Sequence, residues 1–577
     1  MTRIALVAVL CAVAIVAAAF LFDAYTVNIL TRSFLFAAVA MTVDLLWGYT
    51  GFLTFGQSAF FGVGAYAAAL CSTQFGASPW IVVLSLGCAI GAAGLLAALQ
   101  GWLSFYQGST PLYASVVSLV VPVVVTQALF SGGTFTGSSS GLTGYDVPDL
   151  SIEAWFVLAG LFLLLVTTGG FIFVRSDAGR VLIALRDNEA RCAYLGLRTA
   201  WLRIGLLIVT AAIAAVAGWL YAGSSGVVAP ELAGFEFGTE LVIWVALGGR
   251  GTLLGPVFGT VLIDLTSSYL SGSLPFLWKL LLGVAFILVI VALPQGLIPA
   301  VTGRLRALRP RRAAIPRLIE AASRPPPSAD HVAIALRDVA RSFGTLSVLQ
   351  GVSFSAQPGE LVSLVGPNGA GKTTLMRCLS DGAERSAGTV AINGHDIGAL
   401  PPHRCVGFGL GRKFQTANVF DTLSVAECLA VARARLVSPS PWRCASTLAL
   451  PQAALAILSA TGLDRSLGTQ ASLLSHGQKQ ALELAMVLAL EPSVVLLDEP
   501  TAGLTMLERR QIGGVLTDLA TTHGLCLLLV EHDLDFVREI SSRVVVLHQG
   551  RLVLDGTVAE IVGSDLVRTI YAGAVHA

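Results

Sequence analysis

Charge is what this chain has least of. Only 12% of its 577 residues are Asp, Glu, Lys or Arg, well below the usual share in soluble proteins, and the shortfall is uneven. Roughly 22 charged residues fall in the first 300 positions and roughly 49 in the remaining 277, so lipid is the expected solvent of the first part and water that of the second. A basic face is also missing. The formal net charge of +1 gives none of the phosphate-backbone attraction that nucleic-acid binding needs, so no nucleic-acid partner is expected. The nine cysteines lack metal-ligand spacing. Their odd number, with Cys11, Cys71 and Cys88 in apolar stretches, argues against a disulfide framework and for free thiols in a reducing compartment. No repeat of about 20 to 50 residues is present, so no repeat architecture is expected.

What is abundant is apolar length. Hydrophobic residues make up 55% of the chain. Runs of spanning length recur near residues 3–22, 26–48, 50–73, 79–100, 111–130, 153–174, 201–224, 236–268 and 275–300, so about eight to ten membrane helices are expected. The first run, after Met1-Thr-Arg3, resembles a secretory signal with a small-residue site at Ala17-Ala-Ala19. It is nearly long enough to cross a bilayer and further spans follow, so a retained first helix is expected. Glycines interrupt the runs at Gly51 to Gly64 and at Gly248-Gly-Arg250-Gly251. Broken backbone at that depth needs protein or a cavity around it, and the commonest use of such small residues is close helix packing. Asp44 and Asp264 are carboxylates inside spanning stretches. Each is costly there, and is expected to be partnered or to line a pathway.

Two loops carry an Arg excess, one from Arg175 to Arg203 and one from Arg304 to Arg317, and both are expected to face the cytoplasm. The second leads into Arg324-Pro-Pro-Pro-Ser-Ala-Asp330, which cannot continue a helix. The expected organisation is a polytopic α-helical transmembrane domain over 1–303, a basic Pro-rich linker over 304–331 and an α/β P-loop domain over 332–577. In that last part short Val/Leu/Ile-rich strands alternate with helices.

Within it, Gly366-Pro-Asn368-Gly369-Ala-Gly371-Lys372-Thr373-Thr374 follows the apolar run Leu361-Val-Ser-Leu-Val365. A strand, a glycine-rich loop and a helix start in that order form a phosphate cradle. Glycines let backbone amides approach phosphate oxygens, the helix N-terminus favours negative charge, Lys372 adds a cation and Thr373 a Mg²⁺ ligand. Further on, Ser493-Val-Val-Leu-Leu-Asp498-Glu499-Pro500 is an apolar strand ending in two carboxylates. Asp498 is placed to hold Mg²⁺ and Glu499 to activate water. ATP and Mg²⁺ are therefore the expected cofactors.

Between these motifs lies Leu474-Ser475-His476-Gly477-Gln478-Lys479-Gln480, and with it the chain resembles the ATP-binding cassette family of transporters. That family usually reads Leu-Ser-Gly-Gly-Gln, so His476 replaces its first glycine. The resemblance implies that Ser475, Gly477 and Gln478 serve the nucleotide of an opposite cassette, and that a dimer of cassettes is required. It also implies that Gln415, in Arg412-Lys-Phe-Gln415, touches Mg²⁺ and links nucleotide state to the membrane domain, and that His532, in Val530-Glu-His532-Asp, is a switch histidine. Phe343 would stack on adenine. Thr505 stands where many cassettes place Asp.

The first part resembles permeases of the branched-chain amino acid importers. The resemblance is carried by Leu45-Leu-Trp47-Gly-Tyr-Thr-Gly51 through Tyr66, by Arg186-Asp187-Asn188-Glu189-Ala-Arg191 with Leu195-Gly196-Leu, and by Leu247-Gly-Gly-Arg250-Gly251-Thr-Leu-Leu-Gly255. It runs over nearly all of 25–300 and implies a permease fused to its ATPase. Residues 180–197 are then expected to be the coupling segment that docks near Gln415. The implied function is ATP-driven import of branched-chain or other apolar amino acids through a bacterial inner membrane, with the cassette in the cytoplasm. Implied partners are a second permease and cassette, as homodimer or heteromer, an extracytoplasmic solute-binding protein, and membrane lipid. The related urea and short-amide importers are the alternative. An exporter fits less well, because the spans are many, the cytoplasmic loops short, and no acidic Gly-Glu-Arg-Gly insertion precedes Leu474.

Overall fold

Which segments can cross a bilayer follows from their length and their few charges. The structure, a computed structural model, describes residues 2–106, 111–273, 277–293, 295–301, 315–321 and 332–564. These fall into two compact units, one within Met1–Leu182, Ala200–Arg311 and Pro441–Arg443, the other within Ile183–Thr199, Arg312–Ser440 and Cys444–Ala577.

The first unit is helical. Among the described residues five helices are long and apolar enough to cross a membrane: Ala24–Thr50, Pro79–Phe105, Leu112–Ser131, Ile152–Val174 and Thr199–Ser225. Further helices, Thr2–Leu21, Gln57–Phe75, Phe235–Gly248, Leu254–Ser273 and Trp278–Ala292, complete it. Ala24–Thr50 is buried along most of its length, whereas Leu95 and Leu165 on neighbouring helices are more than two-thirds exposed, as residues facing lipid should be. The glycines mark close approach. A Cβ on Gly64 would lie 2.0 Å from the Ala215 carbonyl oxygen, and one on Gly218 would lie 1.9 Å from that of Phe61, so helices 57–75 and 199–225 meet through missing side chains.

The run expected as one span over 236–268 is two helices. Phe235–Gly248 stops at Gly249, and Leu254–Ser273 begins after a turn. Gly251 there has φ +73, which glycine adopts without steric cost. Asp44 holds the turn: Gly251 N–H donates to its Oδ1 at 2.6 Å and Leu253 N–H to its Oδ2 at 3.1 Å. The break is tolerable because a wholly buried carboxylate accepts the exposed amides. Asp44 is thus a partnered carboxylate, one of the two expected outcomes.

The second unit is α/β. A six-stranded sheet runs in the order Arg551–Gly556, Arg543–His548, Leu361–Val365, Cys526–Val530, Val494–Asp498, Leu410–Lys413, parallel except for the first pair. A separate antiparallel sheet holds Leu346–Ala356, Ile334–Phe343, Ala387–Ile392 and His395–Asp396. The central strands are apolar throughout because the parallel sheet is covered on both faces, and Leu361–Val365, Val494–Asp498 and Cys526–Val530 are buried at every position. Of the expected linker only 315–321 lies within the described residues. There Arg317–Glu320 is a strand paired in parallel with Thr447–Leu450. Alternation in Arg-Leu-Ile-Glu is too short to announce it in sequence.

Candidate functional site

Parallel strands end on one side of a sheet, and whatever follows them is gathered there. Four of this sheet's strands do so. Leu361–Val365 leads into the glycine loop, Val494–Asp498 into Glu499, Cys526–Val530 into Glu531 and His532, and Leu410–Lys413 into Gln415. Their ends enclose a cavity of about 240 Å³ lined by Asn368, Gly369, Gly371, Lys372, Thr373, Thr374, Gln415, Asp498, Glu499 and His532, with Val348, Ala370 and Val530. Motifs more than 150 positions apart in sequence thus share one wall.

The phosphate cradle is built as the sequence requires. Gly371 caps the helix Lys372–Ser380 with φ +103, and a Cβ there would press to 2.9 Å on Leu349. Lys372 is buried, its Nζ donating to the carbonyls of Gly366 at 2.7 Å and Pro367 at 3.0 Å. Burial pushes its pKa down, against the pull of Glu499 and Asp498. Asp498 is 2% exposed. Desolvation raises its pKa, opposed chiefly by Arg412. Glu499 carries the tightest geometry. Gln415 Nε2 donates to its Oε1 at 2.9 Å, and His532 Nε2 lies 3.1 Å from the same oxygen. Its backbone has φ +46, a conformation that costs a non-glycine residue of order 1–3 kcal/mol and gathers at functional sites.

Two groups on strand Leu410–Lys413 hold this corner, and sequence reasoning missed both. Lys413 is fully buried; its Nζ donates to the carbonyls of Phe414 at 2.9 Å, Asp498 at 3.3 Å and Glu499 at 3.4 Å. Arg412 NH1 donates to Ser380 Oγ at 2.5 Å and Tyr194 OH at 3.3 Å. The available signal was two adjacent charges ending the short strand Leu410-Gly-Arg-Lys413, which must find partners when buried. Burial lowers the pKa of both, and Glu483 and Asp498 oppose that for Lys413.

The remaining expected residues fall elsewhere. Phe343 does not line the cavity; it is about half exposed, with the Arg341 guanidinium 4.4 Å over its ring. Ser475, Gly477 and Gln478 also lie off it, at the start of helix His476–Leu488. Ser475 Oγ accepts from Gln478 N–H at 3.2 Å and Gln478 Oε1 accepts from Ser475 N–H at 3.1 Å, a capping box. The His476 ring sits against Gly503, where a Cβ would lie 2.5 Å from it. Thr505 caps the helix Met506–Thr521 through Glu508 N–H, a position that Asp and Thr both suit.

Residues 183–199, placed in sequence between membrane helices, cluster with the α/β unit. Arg191, fully buried, donates to the Arg412 carbonyl at 2.9 Å and pairs with Glu483 at 3.3 Å. Glu483 in turn accepts from Phe414 N–H at 3.1 Å, one residue before Gln415. Asp187 accepts from Thr422 N–H at 3.0 Å, and Asn188 Nδ2 donates to Asn418 Oδ1 at 3.0 Å. Burial lowers the Arg191 pKa and raises that of Glu483, each partner opposing the shift in the other.

Residues 25–291 match the family model described as branched-chain amino acid transport system / permease component, and residues 349–502 match the ABC transporter model. Among curated relatives, the high-affinity branched-chain amino acid transport ATP-binding protein LivG of Salmonella typhimurium is 33% identical over 42% of this chain and 97% of its own. BraF of Pseudomonas aeruginosa, of the same description, is 32% identical over 40% and 94%. The octopine permease ATP-binding protein P of Rhizobium radiobacter is 35% identical over 40% and 89%. A solved ATP-binding subunit of an ABC transporter aligns over 42% of this chain and 99% of its own at 25% identity, with a TM-score of 0.36. The chain belongs to the ATP-binding cassette transporter family, as a multi-pass membrane protein that joins a permease domain to a cassette binding and hydrolysing ATP.

Proposed function

We propose that this chain is a subunit of an importer for branched-chain or other apolar amino acids, set in a bacterial inner membrane with its cassette in the cytoplasm. The observation that carries this reading is the joining, in one chain, of a permease matching the branched-chain amino acid type and a cassette like LivG and BraF. The permease domain is assigned to 1–303, the linker to 304–331 and the cassette to 332–577.

In the cassette, the amides of 366–374 and Lys372 hold the phosphates. Glu499, oriented by Gln415 and His532 on its Oε1, takes the proton of the attacking water. Lys413 fixes the backbone from which Asp498 and Glu499 project. Thr373, Gln415 and Asp498 offer oxygen donors on one cavity wall, which suits Mg²⁺, a cation usually held by one or two carboxylates together with nucleotide phosphates. When bound there it would neutralise phosphate charge. Phe343 is assigned to adenine stacking. Ser475, Gly477 and Gln478, off this cavity, are assigned to the nucleotide of a partner cassette in a homodimer or heteromer. An extracytoplasmic binding protein delivers solute, and the coupling segment 180–197 carries the nucleotide state toward the membrane helices.

The test is uptake of labelled leucine and labelled urea by cells carrying this chain and its neighbouring genes, with Glu499→Gln as control. Leucine uptake abolished by the substitution is expected. Urea uptake alone, abolished in the same way, would replace the amino-acid assignment with the amide one.

A further inference from the structure

Beside the ATP site one buried carboxylate stands between two buried cations. Glu483, Lys413 and Arg191 are each at most 1% exposed, so none of them can turn to water for its charge. Arg191 takes the carboxylate. Its NH1 lies 3.3 Å from Glu483 Oε1 and donates to the Arg412 carbonyl at 2.9 Å, while its NH2 donates to the Glu483 carbonyl at 3.3 Å. Lys413 goes elsewhere. Among the described residues it makes no ion pair, and its three hydrogen bonds all run to carbonyls, those of Phe414, Asp498 and Glu499.

Yet Lys413 and Glu483 are neighbours. Glu483 Oε1 accepts from the N–H of Phe414, the residue after Lys413, at 3.1 Å. Burial lowers the Lys413 pKa, and Glu483, ahead of Asp498 and Glu531, opposes that fall. Of these acids Glu531 is committed to Thr501, from whose N–H and Oγ1 it accepts at 3.2 and 2.7 Å, and Asp498 lines the nucleotide cavity. Half of Glu483 is uncommitted. Its Oε2 is buried with no hydrogen-bond partner among the described residues, although the Asn418 amide is close enough to lower its pKa.

A charge in a dry interior is drawn to whatever neutralises it. With Arg191 on Glu483, the carboxylate is neutralised and Lys413 stays on its carbonyls. Without Arg191, Glu483 is left charged and buried, Lys413 is the next cation in reach, and Oε2 is open to receive it on a flexible four-carbon stem. What Lys413 would leave behind is the backbone of Asp498 and Glu499. Glu499 there has φ +46, a conformation that persists only where its surroundings hold it.

We propose that Arg191 is a positioning residue for ATP hydrolysis: while it occupies Glu483, Lys413 holds the Asp498 and Glu499 carbonyls, and when it withdraws, Lys413 crosses to Glu483 and the base loses its place. Arg191 belongs to the segment 180–197 assigned above to coupling, so one ammonium reports to the ATP site whether that segment is docked. The inference rests on the reading of Glu499 as the base.

The experiment is ATP hydrolysis kinetics of the full chain with its partner subunits, for the parent, Arg191→Gln, Arg191→Gln combined with Glu483→Gln, and Glu499→Gln as control, each rate normalised to the nucleotide-binding sites measured in the same sample. In Arg191→Gln the kcat should fall roughly tenfold or more while the KM for ATP stays within about twofold, because the phosphate loop is untouched. Adding Glu483→Gln removes the carboxylate that draws Lys413 away, so the double variant should recover at least about half of the parent rate although the docking contact is still missing. A merely structural Arg191 would give no such recovery in rate per binding site. Parent-like kcat in Arg191→Gln, with Glu499→Gln inactive, would overturn this inference alone. If Arg191→Gln fails to fold, the double variant, which carries no unpaired carboxylate, decides: hydrolysis as low as about a tenth of the parent's with nucleotide binding retained would overturn it. Hydrolysis at the parent rate in Glu499→Gln would overturn the reading of the base and this inference together.

Discussion

Buried charge is handled differently in the two units. In the cassette, Lys372 and Asp498 line one small cavity, Lys413 and Arg412 are buried on a neighbouring strand, and most of the partners of these cations are backbone carbonyls or hydroxyls from adjoining strands and loops. In the helical unit the buried carboxylates are far apart and do separate work. Asp44 accepts two backbone amides at the break between helices, while Asp264 holds an arginine at a cavity wall. A charge therefore signals function where its partners converge on a space, and architecture where they are backbone groups of a broken element.

The largest expected effect lies at Glu499. Glu499→Gln keeps the shape and the contact to Gln415 but removes the base, so ATP hydrolysis by the full chain should fall at least about 100-fold with nucleotide binding retained. A phosphate-release assay beside nucleotide binding separates the two. Lys413→Met tests whether the supporting charge matters as much, since it removes the donor to the Asp498 and Glu499 carbonyls. Hydrolysis should fall while Lys372 still binds nucleotide, and an unchanged rate would limit the site to its sequence motifs.

Next in size is the Arg191 and Glu483 pair. Removing one partner leaves the other charged and buried, at about 3–5 kcal/mol, so Arg191→Ala should lower thermal stability sharply. Arg191→Met combined with Glu483→Leu should recover most of it. Additive losses would show that the pair does not act as a unit.

Asp44 and Asp264 sharpen the comparison inside the helical unit. Asp44→Asn leaves one of two backbone amides without its acceptor, at about 1–3 kcal/mol. It should lower thermal stability and leave solute preference as it was. A changed preference would place Asp44 on the pathway. The smallest effect is at Thr505, where Thr505→Ala should cost about 1 kcal/mol as a lost helix cap and Thr505→Asp should cost little.

How much was legible in sequence follows the same division. The phosphate loop and Asp498-Glu499 are contiguous stretches whose chemistry depends on neighbours in the chain, so the sequence displays them. Lys413 acts across the sheet on Asp498 and Glu499, and Arg412 on Ser380 and Tyr194 from other segments, and only two adjacent charges in one short strand hint at them. The Glu483 carboxylate is similarly one charge within the otherwise apolar run 481–488. In the permease, Arg32, Tyr221, Glu231 and Asp264 come from distant segments and line one cavity only in the folded chain. The span near 236–268 misled because apolar composition continues through Gly249 to Leu253, where the backbone turns and Asp44 supplies the missing hydrogen bonds.

The most direct measurement is made on the full chain with its partner subunits in sealed proteoliposomes, following leucine movement and ATP hydrolysis in the same sample. Leucine should accumulate against its gradient only when ATP is present on the cassette side, and Glu499→Gln should stop both fluxes together. Accumulation that persists in Glu499→Gln, or hydrolysis that continues at the parent rate without it, would contradict an importer driven at this site.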